Sequence, residues 1–233
     1  MPSPAALAAA AERVELPAGT GDRFAGYGVM GLTFGTGHVL AMRRFPASSI
    51  GPAYTSVWHR DPHGEWVFWQ DGRAEQACAR YFSSALTGDR TAEVTLGWPA
   101  DDELRVTIPD ARLEWRCRLS STPATRLLGA VGRVMPERAW RSAAVLRAMG
   151  PVAGRVLGAG RVPMAGTAPN GQAFLANPLL VFVIDEATAT LDGEPLGPPG
   201  PLEEQARLGD FLIPQRGLFA VGRAFFDDAP GAR

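Results

Sequence analysis

The stretch Tyr54–Asp71, YTSVWHRDPHGEWVFWQD, gathers three of the chain's six tryptophans and two of its three histidines into what reads as one β-hairpin. Two runs of β-branched and aromatic residues flank Asp61-Pro62-His63-Gly64, where Pro suits the second position of a turn and Gly supplies a positive φ. A symmetric four-residue loop sets Arg60 opposite Glu65, His59 opposite Trp66, Trp58 opposite Val67 and Ser56 opposite Trp69. Alternation then places Tyr54, Ser56, Trp58, Val67 and Trp69 on one face, and Thr55, Val57, His59, Trp66 and Phe68 on the other. Both faces are apolar. A ribbon with no polar side must be covered twice, by a core on one face and by a helix, a ligand or a partner on the other.

The 233-residue chain has enough apolar content to supply that cover: it is 46% hydrophobic, with a formal net charge of −1. Near neutrality argues against nucleic acid as the partner. All 23 basic residues are arginine, which with 27 Gly and 20 Pro reflects the codon usage of a high-GC bacterial genome. The absence of lysine excludes Schiff-base catalysis, lysine-bound pyridoxal phosphate and the Walker phosphate lysine. Cys78 and Cys117, both in segments read as strands, have no paired spacing and make neither a disulfide framework nor a zinc knuckle. They read as small buried apolar residues. Residues 1–22 read as a mobile segment whose alanine run lacks the basic start of a secretory signal. No apolar run approaches the ~18 residues of a spanning helix, and the expected location is cytoplasmic.

Residues 23–228 read as one β-rich domain. Phe24–Phe34 and His38–Phe45 are strand candidates that precede the hairpin, and Cys78–Leu86 is another that follows it. Val94, Leu96 and Trp98, then Leu104, Val106 and Ile108, then Leu113, Trp115, Cys117 and Leu119 alternate with polar residues, which predicts a three-strand meander. Arg112, Glu114, Arg116 and Arg118 form its solvated face, or a basic docking strip. The period changes at Thr122-Pro123, an N-cap followed by a first-turn proline, and a helical insertion spans 122–161. Gly150-Pro151 is expected to stop its second helix. Seven arginines and one acid, Glu137, give the insertion +6 and leave −7 for the rest. Strands resume with Leu179–Leu191, a short acidic helix is expected at Leu202–Leu208, and Gly217–Phe226 closes the pattern. The fold class is mainly β, an antiparallel barrel or curled sheet with a helical insertion; two sheets packed as a sandwich is the alternative.

The hairpin W-H-R-D-P-x-G-x-W-x-F-W, through Trp58, Asp61, Gly64 and Phe68, resembles the corresponding hairpin of the lipocalin-like superfamily that includes carotenoid hydratases and AttH-type proteins. Val183–Gly193 (VIDEATATLDG) is similar to a later strand of that group ending in an acidic-Gly turn. The resemblance covers about a fifth of the chain, and the basic insertion has no counterpart in it. It implies an antiparallel barrel holding an apolar molecule, often isoprenoid, with acid–base chemistry such as hydration or cyclisation in some members.

His59, on an aromatic hairpin face, has a side chain suited to moving a proton near neutral pH. Its competing role is a core histidine bonded to a main-chain carbonyl. His63 reads as solvated and His38 as a strand-end surface residue. The His59-x-x-x-His63 spacing does not place two ligands on one strand face, so no metal is expected. GYGVMG at Gly26–Gly31 lies in a strand-like run with no helix after it, so neither a nucleotide nor another cofactor is expected. Arg60 and Glu65 pair at the tip, and Asp210 with Arg216 near a closing turn. Tyr54, Tyr81 and Arg80 are polar groups in apolar context, suited to orienting a carboxylate, phenol or enolate, or to capping the sheet. Trp58, Trp66, Phe68 and Trp69 are the expected ligand-lining residues.

The expected function is binding of an apolar or aromatic small molecule, isoprenoid-like or polyketide-like, in a barrel cavity, with cofactor-free isomerase, hydratase or cyclase chemistry at His59. Two alternatives stand beside it: a carrier or sensor without turnover, and a peripheral protein that docks on a membrane or protein partner through the arginine-rich insertion.

Overall fold

A computed structural model describes residues 2–209 and 211–227. In chain order, helix α1 (Pro4–Ala11) precedes strands β1 (Asp22–Thr33), β2 (Val39–Ser48), β3 (Tyr54–Arg60) and β4 (Trp66–Gln70). A short α2 (Ala79–Phe82) leads to β5 (Gly88–Thr91), β6 (Thr95–Ala100), β7 (Glu103–Ile108) and β8 (Leu113–Ser120). The insertion folds as α3 (Pro123–Val134), α4 (Glu137–Trp140) and α5 (Ala143–Leu157). After it come β9 (Ala165–Thr167), β10 (Ala173–Leu191), β11 (Glu194–Pro195), β12 (Arg207–Leu208), β13 (Phe211–Leu212) and β14 (Leu218–Phe226).

One continuous sheet runs β5-β4-β3-β2-β1-β14-β10-β8-β7-β6, antiparallel throughout except for the parallel β4–β5 pair. The two-sheet alternative therefore falls. The sheet curls into a half-barrel, and its two faces are legible row by row. Trp69, Val57, Met42, Val29, Phe219 and Phe182 are successive cross-strand partners, all in one core cluster. The meander side chains Leu104, Val106, Trp115 and Cys117 join that cluster, as do Ala8 and Ala11 of α1. Side chains from near both ends of the sheet meet there, so this is the inside of the curl. The adjacent row, Gln70, Ser56, Arg43, Gly28, Ala220 and Val181, lies on the outer face.

The meander appears as read, β6–β7–β8 with burial strictly alternating along β8. Arg105–Glu114 and Arg118–Glu186 pairs cross its solvated face. Thr122 caps α3 with a reciprocal Thr122/Thr125 box, and Pro123 opens it.

Five expectations need correction. The hairpin loop holds five residues: Asp61 N–H bonds Glu65 O and the Asp61 carboxylate accepts from Glu65 N–H, which shifts the register by one. Trp58 therefore faces Phe68, His59 faces Val67, and Val57 faces Trp69. The Arg60–Glu65 pair does not form, because the Arg60 guanidinium donates to Gly37 O and Asp61 O. Cys78 caps the helical α2 and is not in a strand. The helix expected at Leu202–Leu208 is irregular chain ending in β12.

Helix α5 runs straight through Pro151. Tertiary packing outweighs the local break here, since a Cβ on Gly150 or Gly154 would lie 2.4 Å from Val162 O or 2.1 Å from Gly160 O, so this face docks against the following chain. At the N-terminus, Ser3 caps α1, Tyr27 donates to Glu12, and Glu12 pairs with Arg44, which attaches the first segment to the sheet. The expected Asp210–Arg216 contact lies outside the described residues.

Candidate functional site

The outer face of β1, β2, β3, β14 and β10 is small and bare at its centre. Gly26 and Gly222 face each other across β1 and β14, with Ala220, Ala224 and Ala176 beside them. Around this floor stand Phe24, Tyr54, Trp58, Phe174 and Phe226, while α3, α5 and the Phe211–Pro214 segment form the roof. Large rims over a floor without side chains leave a cavity of about 190 Å³, walled almost wholly by apolar groups. This cavity thus lies outside the curl and not within the barrel.

Arg43 lies in this wall. Consecutive strand residues point to opposite faces, so of the Arg43-Arg44 pair one must enter the outer layer. Arg44 turns to Glu12 at 2.9 Å, whereas Arg43 is 7% exposed and, among the described residues, has no carboxylate partner. Its Nη1 donates to Val29 O and to Met42 O (3.0 Å) and its Nη2 to Met30 O (3.3 Å). Three of five donors are used, and the cation sits 4.6 Å from the Trp58 ring centroid. Burial pulls its pKa down to about 10, with Cys78 and Tyr54 partly opposing that shift.

Beside it, the Tyr54 hydroxyl is 3.6 Å from Cys78 Sγ. Burial, with Cys78 adjacent, holds Tyr54 well above the ordinary phenol range, and burial likewise raises the Cys78 thiol. Tyr81 stacks on Phe226 at 3.9 Å and donates to Asp22 at 2.8 Å; burial and that carboxylate raise its pKa. Asn177, also lining the cavity, is 1% exposed, and neither of its amide atoms has a protein hydrogen-bond partner among the described residues.

Comparison with known proteins adds little. No family model matches this chain. No curated protein matches it either. Among solved structures it is similar to the acetoacetate decarboxylase of Legionella pneumophila, at 12% identity, over 91% of this chain and 86% of that one, with a TM-score of 0.41. At that distance the likeness carries no argument about chemistry. The lipocalin-like resemblance has no support beyond a curled, mostly antiparallel sheet.

Of the residues singled out from sequence, Tyr54, Trp58 and Tyr81 meet in the cavity wall. Arg80 does not line it: its guanidinium pairs with Asp22 at 3.4 Å. Trp66 and Phe68 pack behind Trp58, with Phe68 stacked on it at 4.6 Å and the Trp66 indole N–H donated to Arg207 O. Trp69 and His59 are on the inner face, stacked at 5.9 Å. His59 is thus separated from the cavity by the sheet itself. Its Nε2 lies 2.9 Å from Nδ1 of His38, so His38 is its partner and not a free surface residue. Burial, then the neighbouring His38, lowers the His59 pKa to about 4. Sequence reasoning missed Arg43 and Asn177; the adjacent arginines in β2 were the available signal for Arg43.

Proposed function

We propose that the protein binds a small apolar molecule carrying one acidic oxygen, a carboxylate, phenol or enolate, with that oxygen against Arg43 and Tyr54. One observation carries this reading: Arg43 is a buried cation in an apolar wall, and among the described residues no acid pairs with it. An unpaired buried charge costs several kcal/mol, and a fold that retains one gains most when an anionic group completes it. The two guanidinium donors free of main-chain carbonyls, and the neutral Tyr54 hydroxyl beside them, supply the hydrogen bonds. Size narrows the class: a cavity of ~150 Å³ accepts benzene, so 190 Å³ suits a ring or short branched chain of the order of ten carbon atoms.

Binding without turnover is the form this site supports. Arg43 keeps its proton at neutral pH, and Tyr54, Tyr81 and Cys78 are all held neutral by burial. None of these is poised near neutral pH, where general acid–base catalysis is most effective. The carrier or sensor reading is therefore preferred over the isomerase, hydratase or cyclase reading. The test is calorimetry with benzoate and branched medium-chain carboxylates against the matching alcohols. Acids should bind at least about tenfold tighter, or ~1.4 kcal/mol, and Arg43→Met should erase that preference while leaving the weak affinity for the alcohols. Equal binding of acids and alcohols by the unmodified protein sinks the proposal.

A further inference from the structure

The insertion that roofs the cavity has a second face. On α3, Leu127, Val131 and Val134 recur at i, i+4 and i+7 and are 62%, 43% and 82% exposed; on α5, Val152 and Val156 are 60% and 45% exposed. Val131 also lines the cavity, as do the half-buried Leu128, Met149 and Ala153 of the same two helices. Val131 thus borders both the cavity and the surface, and the other exposed aliphatic residues lie on the same two helices that wall the cavity.

Arginines are interspersed with these residues along the insertion. Arg126, Arg133, Arg138, Arg147, Arg155 and Arg161 are all exposed, and among the described residues none has a carboxylate partner. The insertion's one acid is already engaged: Glu137 pairs with Arg223 at 2.9 Å and with Arg141 at 3.2 Å, and Arg141 turns inward over Phe225. Six exposed cations and five exposed aliphatic side chains thus belong to one insertion, in a chain whose net charge is −1.

We propose that the α3–α5 face docks this protein onto a bilayer containing anionic phospholipid, with the helices that wall the cavity against the lipid. Aliphatic side chains in the acyl boundary and arginines at the headgroups are the combination that interfacial helices present. A symmetric second copy is disfavoured, because it brings six unbalanced cations against six. A folded acidic partner is disfavoured because the exposed apolar residues are aliphatic only, without the Trp and Tyr anchors that dominate protein interfaces. The docking stands apart from the acid-binding reading, but entry of an apolar ligand directly from lipid rests on it.

The experiment is vesicle flotation of the full chain, using phosphatidylcholine alone and with roughly 30% phosphatidylglycerol, at about 50 mM and about 500 mM salt. Binding to the anionic vesicles at low salt and its loss at high salt are expected. Arg133→Glu with Arg155→Glu should weaken it by at least about tenfold, and Val134→Ser with Val152→Ser by about tenfold, with unfolding midpoints unchanged because all four positions are exposed. No flotation at low salt overturns the proposal. So does binding indifferent to the valine substitutions, or sedimentation showing that this face joins two copies. Arg43→Met should float like the unmodified protein, so failure of the acid-binding reading and failure of docking are read separately.

Discussion

The guanidinium carbon of Arg43 lies 4.6 Å from the centroid of the Trp58 ring, joining a buried cation to the aromatic wall of the cavity. A desolvated cation–π contact contributes up to about 2 kcal/mol, and Phe68 stacked on the far side of Trp58 holds the ring in place. A double-mutant cycle between Arg43→Met and Trp58→Leu, followed by urea unfolding, should give a coupling of about 1–2 kcal/mol. A coupling near zero shows that the two groups are neighbours without interaction.

All three tyrosines of the chain, Tyr27, Tyr54 and Tyr81, have pKa values raised first by burial, and Tyr27 and Tyr81 are raised further by hydrogen bonds to Glu12 and Asp22. Their folded pKa values lie above the unfolded value near 10. Their contribution to stability is therefore complete below pH 10 and lost progressively above it. Ultraviolet difference spectra should show no phenolate formation in the folded protein through pH 10, and then a single step coinciding with loss of circular dichroism. A separate phenolate step before unfolding contradicts the burial of at least one tyrosine.

The His38–His59 pair has the opposite sign. His59 falls from the ordinary 6.5 to about 4, so between those values the unfolded chain binds a proton that the folded chain refuses. Stability is present above pH 6.5 and declines as pH falls toward 4, with a slope of up to about 1.4 kcal/mol per pH unit for one proton. Chemical denaturation at pH 7 and pH 5 should show this loss, and His59→Gln should flatten it. Vesicle and ligand binding should not respond to that substitution, since His59 faces the inner side of the sheet.

Gly28 lies beside Arg43 in the outer row, and a Cβ there would lie 2.1 Å from Met42 O and 3.1 Å from the Arg43 Cα. Backbone on the other side of the contact cannot rotate away as a side chain can. Gly28→Ala is therefore expected to cost about 2 kcal/mol or more in denaturant unfolding. Ala at the open position Gly97, where a Cβ meets nothing within 4 Å, should change little.

Much of the fold was legible in alternation and in period. The meander could be read because each of its strands buries one face only, so Leu113, Trp115, Cys117 and Leu119 had to share a side. The helical insertion could be read because Thr122 and Pro123 state a helix start in local chemistry. The Gly26–Gly31 motif was separable from a nucleotide loop because it continues as strand.

What failed did so where long-range contacts decide. One residue more in the loop at Asp61–Glu65 reverses which hairpin side chains share a face: Trp66 and Phe68 join Trp58, and His59 is left with Val67 and Trp69 on the inner side. Composition and pattern determined by themselves that this chain makes a mostly antiparallel sheet whose hairpin is covered on both faces, with an arginine-rich helical insertion and no lysine chemistry. Only the tertiary structure decided on which face of the sheet the apolar cavity lies. That choice depends on glycines and alanines of β1, β10 and β14 meeting across strands far apart in sequence, with Arg43 beside them, and no local periodicity records such a meeting.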